Sequence, residues 1–243
     1  KIDSLKYIFG QPDYLEGFGY IYPIKLKHYD EFQQCCYVLY ISKKMFKPTQ
    51  IPLLELIFYS AESFQLSTNQ LISTYEKLFS LVLREEVCFD SYGDELAFES
   101  ESGGVINSQN YDLVRSIIMK QNLMFEKKIY KDPKVQEWAE KALEARLKQN
   151  TKVTIEDMIT TVSVFKGVSY EELMEYTIYQ LHADFQRIRK IKEYDTRVIF
   201  RSVDSNVKVD DYAEEIDLFR NPYEDVVFVH KSKLKKLNMA IRE

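Results

Sequence analysis

The chain has 243 residues, 45% hydrophobic and 29% charged, which is enough apolar material for a buried core and too much charge for a membrane-embedded body. Its 33 Lys and Arg against 38 Asp and Glu leave a net charge of −5, so the molecule as a whole repels a polyanion, and nucleic-acid binding would need a local basic face. Seven glycines are few for a fold built on glycine-lined phosphate turns, and no dinucleotide or P-loop motif occurs.

Residues 7–9 and 18–24 are rich in Tyr and Ile and are punctuated by Gly10, Pro12, Gly17 and Pro23, which predicts a small sheet or extended lid. From Lys27 the apolar positions Tyr29, Phe32, Cys36, Leu39 and Tyr40 fall three or four apart, as on one face of a helix. A short helix is expected after Pro52, which suits a first turn. Ser67 with Gln70 forms a capping-box signature, followed by Leu71, Tyr75, Leu78, Leu81 and Val82 at helical spacing until about Arg84.

The period then changes. Val87 and Phe89, then Leu96 and Phe98, alternate with polar residues around Tyr92, Gly93 and Asp94, and Gly103 and Gly104 precede Val105 and Ile106. This predicts a β-hairpin with a short third strand. Helix starts are expected at Asn107 or Ser108, at Asp132 before Pro133, at Thr154, and at Ser169 with Glu172 as a second capping box, Gly167 supplying the stop before it. A helix over 170–194 carries Met174, Ile178, Leu181, Phe185 and Ile188 as a buried stripe, and residues 196–200 suit either its extension or a strand. Beyond lie an acidic stretch over 203–215, a break at Asn221 and Pro222, and a basic amphipathic segment over 232–241. The expected class is α+β, predominantly helical, with a small N-terminal β element and a central hairpin. The organisation is read as an α/β part over 1–106 and a helical part over 107–243, which can equally form one continuous domain.

Motifs for chemistry are few. His28, His182 and His230 have no metal-ligand spacing, and Cys35, Cys36 and Cys88 make neither a CxxC pair nor an even disulfide set, so all three are read as packing residues in a reducing compartment. Asp204, Asn206, Asp210 and Glu215 imitate a calcium loop, but Lys208 and Val209 stand where an oxygen ligand and a glycine are needed. His182 and Asp184 are about 200° apart around a helix and cannot form a base and its orienting group. Asp90, Asp94, Glu95, Glu99 and Glu101 could hold a divalent ion for phosphodiester cleavage, with an acidic turn face as the simpler reading. No basic segment followed by an apolar stretch opens the sequence, and the longest apolar run, 51–59, is broken by Glu55 and too short to span a bilayer. The chain is therefore expected to be soluble and cytosolic.

Cations gather late in the chain. Arg187, Arg189 and Lys190, with Lys233, Leu234, Lys236 and Leu237 of the amphipathic tail, are the candidate partner-binding residues, although acidic residues are interleaved and the tail can dock on its own body. The 18 Tyr and 15 Phe suit a surface that keeps a polar handle while burying a ring.

The stretch VINSQNYDLVRSIIMKQNLMFEKKIYKDPK, with Ser108, Asn110, Gln121 and Asn122, resembles segments in structural and tail-assembly proteins of tailed phages of low-GC Gram-positive bacteria. TIYQLHADFQRI, KEYDTRVIFRSV and VKV further on are similar to the C-terminal part of such proteins. Gly10, Gln11 and Pro12 with Ile21, Tyr22, Pro23 and Ile24 resemble their N-terminal β element. The sequence departs from them in the acidic run from Asp210 to Glu214. The resemblance implies a non-enzymatic assembly protein without a cofactor or metal. It would be a tail assembly chaperone that shields the apolar helices of the tape-measure protein, or a tail, baseplate or adaptor subunit of the particle. Its place would be the host cytoplasm during assembly or the virion, its partners phage tail proteins rather than nucleic acid or membrane, with oligomerisation open. From another class, a metal-dependent nucleic-acid enzyme would require the hairpin carboxylates and the late cations to share one cleft.

Overall fold

The computed structural model describes residues 5–16, 18–92, 95–130, 132–149 and 153–223, without the side chains of 91, 92 and 146–149. It is α+β and predominantly helical, as the sequence predicts, with two small antiparallel sheets. The chain divides into two compact units. The larger joins Lys1–Met124 to Thr154–Phe219, and the smaller joins Phe125–Val153 to Arg220–Glu243. The segment 224–243, with Lys233, Leu234, Lys236 and Leu237, lies outside the described residues.

In the larger unit, α1 (Leu5–Ile8) is a single helical turn where residues 7–9 were expected to be β-like. The turn closes because Gly10 takes φ +64° and the Gln11 amide donates to Lys6 O at 2.9 Å, while among the described residues no strand pairs with so short a run. β1 (Asp13–Leu15) and β2 (Gly19–Ile21) form a hairpin, with Ile21 fully buried and Tyr14 opposite Tyr20 on the other face. α2 (Tyr29–Cys35) then tightens into a 3-10 turn over Cys36–Tyr40, so the expected single stripe is split and Tyr40 is left exposed. α3 (Leu53–Tyr59) follows Pro52, which sits at the cap rather than inside the first turn.

α4 (Thr68–Leu83) begins with the reciprocal Ser67–Gln70 capping box and buries Leu71, Tyr75, Leu78, Phe79 and Val82. The three-stranded sheet packs beside it, β3 (Val87–Tyr92) against β4 (Glu95–Ser100) and β4 against β5 (Val105–Asn107), all antiparallel. Gly104 is required here, since a Cβ would stand 2.9 Å from Phe18 O. On edge strand β3, Val87 is buried and Cys88 points outward, so Cys88 is an exposed thiol and not a packing residue. Cys35 and Cys36 are buried, and desolvation, with Cys36 as neighbour, pushes the Cys35 thiol up to about 12.

α5 (Tyr111–Gln121) starts later than Asn107 or Ser108, because Asn107 is still paired with Ala97 in the sheet. Asn110 organises the turn, accepting from the Asn107 amide at 3.0 Å and donating to Val105 O at 2.7 Å. Phe58, Tyr75, Phe79, Phe89, Phe98 and Tyr111 pack ring on ring in the centre, and the Tyr75 and Tyr111 hydroxyls meet at 2.8 Å, buried.

Two helices complete the larger unit's second half before the long one. α7 (Ile155–Lys166) opens on a Thr154–Asp157 capping box and stops at Gly167, whose φ of +68° suits glycine. α8 (Tyr170–Met174) opens on the Ser169–Glu172 box but ends at once. The expected continuous helix over 170–194 is thus interrupted, and Met174 is exposed instead of buried. The reason is a local strand pairing: Leu26 N donates to Tyr176 O at 2.8 Å, Ile178 N donates to Ile24 O at 3.3 Å, and Lys25 bridges Thr177. These backbone groups are taken from the helix ladder, and a new capping box, Thr177–Gln180, starts α9 (Ile178–Val203). Residues 196–200, open between helix and strand, continue α9.

In the smaller unit, α6 (Pro133–Gln149) starts as the sequence predicts, with Asp132 accepting from the Lys134 amide at 2.8 Å. No helix among the described residues is long and apolar enough to cross a membrane.

Two outcomes follow from this packing. Tyr75→Phe leaves the buried Tyr111 hydroxyl without its partner and should cost about 1–3 kcal/mol in urea unfolding, whereas the Tyr75→Phe/Tyr111→Phe pair should cost less than the sum of the single changes. Glu175 bonds Lys25 Nζ at 2.5 Å and Lys27 Nζ at 2.7 Å, which lowers its pKa from 4.5 to about 2. With the folded value below the unfolded one, this clamp is fully present above about 4.5 and is lost as pH falls towards about 2. A carboxyl-carbon NMR titration should place the Glu175 midpoint near 2 in the wild type. In Lys25→Ala/Lys27→Ala it should return towards the ordinary glutamate value.

Candidate functional site on the long helix

The site is built on α9 and on the acidic segment that follows it. The helix spans 26 residues, about 39 Å at 1.5 Å per residue. Its buried side chains, Ile178, Tyr179, Leu181, Phe185 and Ile188, all lie in its first eleven residues, where it packs against α7 and α1. The same face continues outward through Ile199 and Val203, which are 67% and 88% exposed, with Phe200 beside them at 60%. Spacing of three and four residues puts Val203 beside both Phe200 and Ile199, one apolar strip on a helix end left exposed among the described residues.

On another side of α9 the acidic segment turns back along the helix. Arg187 donates to the carbonyls of Tyr212 and Glu214, the latter at 3.1 Å, and Lys190 pairs with the Glu214 carboxylate at 2.8 Å. Arg197 donates to Asp210 at 2.9 Å, to Glu193 at 2.6 Å and to Lys208 O at 3.2 Å. Tyr194 and Tyr212 meet edge to face at 5.3 Å. Each exposed ion pair contributes little by itself, about 0.2–1 kcal/mol, but a shared network and a ring contact fix the segment's course.

Of the candidate partner-binding residues, Arg187 and Lys190 are therefore engaged by the chain's own acidic segment. Arg189 is exposed, with its guanidinium 5.9 Å from the Phe185 ring. The four tail residues fall outside the described part. The exposed strip Ile199, Phe200 and Val203 was missed in the sequence, where residues 196–200 had no settled secondary structure; the available signal was the spacing of eleven residues, about three helical turns, from Ile188 to Ile199, with Val203 four further on.

A groove of about 410 Å³ lies at the buried end of α9, lined by Ile8, Lys166, Tyr176, Tyr179, Asp184 and Arg187 among others. Lys166 donates to Asp184 at 2.7 Å and to the Tyr176 hydroxyl at 3.0 Å, so its charge is matched within the groove. Burial holds the His182 imidazole below its ordinary pKa, which keeps it neutral at pH 7. On the hairpin, Asp90 stands opposite Ala97 and Glu99 opposite Cys88, while Asp94 is outside the described residues. Among the described residues no group of three or more His, Cys, Asp and Glu side chains is placed to hold a metal ion.

Residues 148–217, which contain α7, α8, α9 and the acidic segment, match the family described as the YomV second domain. The chain is also 25% identical over 146 residues to the SPbeta prophage-derived uncharacterized protein YomV of Bacillus subtilis (strain 168), over 60% of this chain and 61% of that protein. It thus spans about three-fifths of the length of that relative. No solved structure matches the chain. The likenesses support a phage-derived protein.

Proposed function

We propose that the protein is a non-enzymatic assembly factor of a tailed phage or phage-derived element, a tail assembly chaperone that binds apolar helices of the tape-measure protein. The observation that carries the reading is the apolar strip of Ile199, Phe200 and Val203, exposed among the described residues at the end of α9 and inside the part that matches the YomV second domain. A helix partner with apolar residues at three- and four-residue spacing would cover this strip as helices pack on one another. Binding of this kind needs no cofactor, and it would take place in the host cytoplasm during assembly.

Co-expression with the tape-measure protein of the same element is the test. The expected result is a soluble complex of the two chains and absence of this chain from finished particles. Ile199→Asp/Val203→Asp should abolish the complex while shifting the stability of the isolated chain by no more than about 0.5 kcal/mol, because both positions are exposed. A complex unaffected by the double change would overturn the assignment of the surface. Presence in purified particles at fixed stoichiometry would replace the chaperone by a tail, baseplate or adaptor subunit.

A further inference from the structure

A second surface lies on the β1–β2 hairpin, away from the α9 strip in sequence and independent of it in argument. Tyr14 and Tyr20 are directly opposed in register, 64% and 55% exposed, with ring centroids 5.1 Å apart. Tyr22, two residues on and therefore on the same face, continues the row at 6.3 Å from Tyr20. The Arg84 guanidinium then lies 4.2 Å from the centre of the Tyr22 ring. Tyr14, Tyr20, Tyr22 and the Arg84 guanidinium thus each lie against the next.

Arg84 also opens a hollow of about 260 Å³ lined by Pro23, Lys25, Lys27, His28 and Ser80. Its permanent cations are Lys25, Lys27 and Arg84. The facing acids are Glu175, which Lys25 and Lys27 share, and Glu31, which lies 3.4 Å from His28. Glu85, next to Arg84, turns to Ser102, and Glu16 sits in the hairpin turn. Three lysine and arginine charges against the Glu175 and Glu31 carboxylates leave the hollow net positive on a molecule whose net charge is −5. Arg84 holds this place in a left-handed conformation, φ +61°, at the end of α4, where glycine would be easier to accommodate.

We propose that this surface binds single-stranded nucleic acid, with backbone phosphates in the Lys25–Lys27–Arg84 hollow and unpaired bases against Tyr20 and Tyr14. The exposed rings of Tyr14 and Tyr20 near a cationic hollow match what a single strand offers, flat faces and a charge at every unit, and do so without reading sequence. An acidic peptide would use the cations but leave the rings without a flat partner, and a duplex keeps its bases paired away from them. This surface is independent of Arg187, Lys190 and Arg197, which are turned to the acidic segment after α9.

Fluorescence anisotropy of the full chain with a labelled oligo-thymidine of about 16 nucleotides at about 50 mM salt tests this, a length within the range covered by single-strand binding sites. Saturable binding is expected, weakening with a log–log salt slope of roughly −1.4 to −2.1 for two or three phosphates. Arg84→Gly removes the guanidinium while relieving the backbone, and Tyr20→Ala removes an exposed ring, so both variants should fold and bind at least about tenfold more weakly. Equal competition by polyglutamate or heparin, tighter binding of a duplex, or unchanged binding by both variants would each overturn the proposal. So would the absence of saturable binding.

Discussion

The larger unit depends on how one extended run, residues 21–26, is held among helix ends. Its backbone groups have assigned partners: Tyr22 N donates to Val82 O at 2.8 Å, Ile21 O accepts from Gln121 Nε2 at 2.8 Å, and Ile24 N donates to Asn122 Oδ1 at 3.1 Å. Ile24 O and Leu26 N then pair with Ile178 N and Tyr176 O. A non-helical strand inside a helical core is tolerable only with such pairing, because a buried unpaired amide costs as much as a lost hydrogen bond. The run therefore ties α4, α5 and the start of α9 together, although these helices are far apart in sequence. The Gln121 and Asn122 pair that looked like a family mark in the sequence has a plain structural task in this chain.

That constraint explains which parts of the fold could be read in advance. Capping boxes at Ser67 and Ser169, the helix start at Thr154, the stop at Gly167 and the alternating period of the hairpin are local signals, and local chemistry decides them. What the sequence concealed was decided by distant partners. Nothing near residue 175 announces that Lys25 will bridge Thr177, so the helical period across the junction suggested one helix where there are two. The Thr177–Gln180 box was nevertheless present and is the sign that a helix begins there. Asn107 was read as a cap because a sheet partner, Ala97, is invisible to local spacing.

The site shows the same division. Clustered cations in a sequence suggest a charged docking face, yet Arg187, Lys190 and Arg197 are turned to Glu214 and Asp210 by a segment that begins directly after the helix. The acidic residues interleaved in the sequence were the hint, and proximity along the chain makes such pairing cheap in loop entropy. Lys25 and Lys27, bonded by Glu175, meet Arg84 at one hollow although 59 and 57 residues of chain separate them from it, a grouping that only the fold produces.

Helix α9 also carries more length than its own unit covers. After Ile188 none of its residues is buried, although Val198, Ile199, Phe200 and Val203 are apolar. A helix end of this kind draws stability from its cap and from the charge network and Tyr194–Tyr212 contact with the acidic segment, since none of its side chains is fully buried among the described residues. Neither source requires isoleucine, phenylalanine or valine at 199, 200 and 203, and β-branched residues at exposed positions slightly disfavour the helix. Polar residues at those sites would serve the isolated chain at least as well. Apolar side chains at 199, 200 and 203 therefore exceed what this part of α9 needs for its own stability among the described residues.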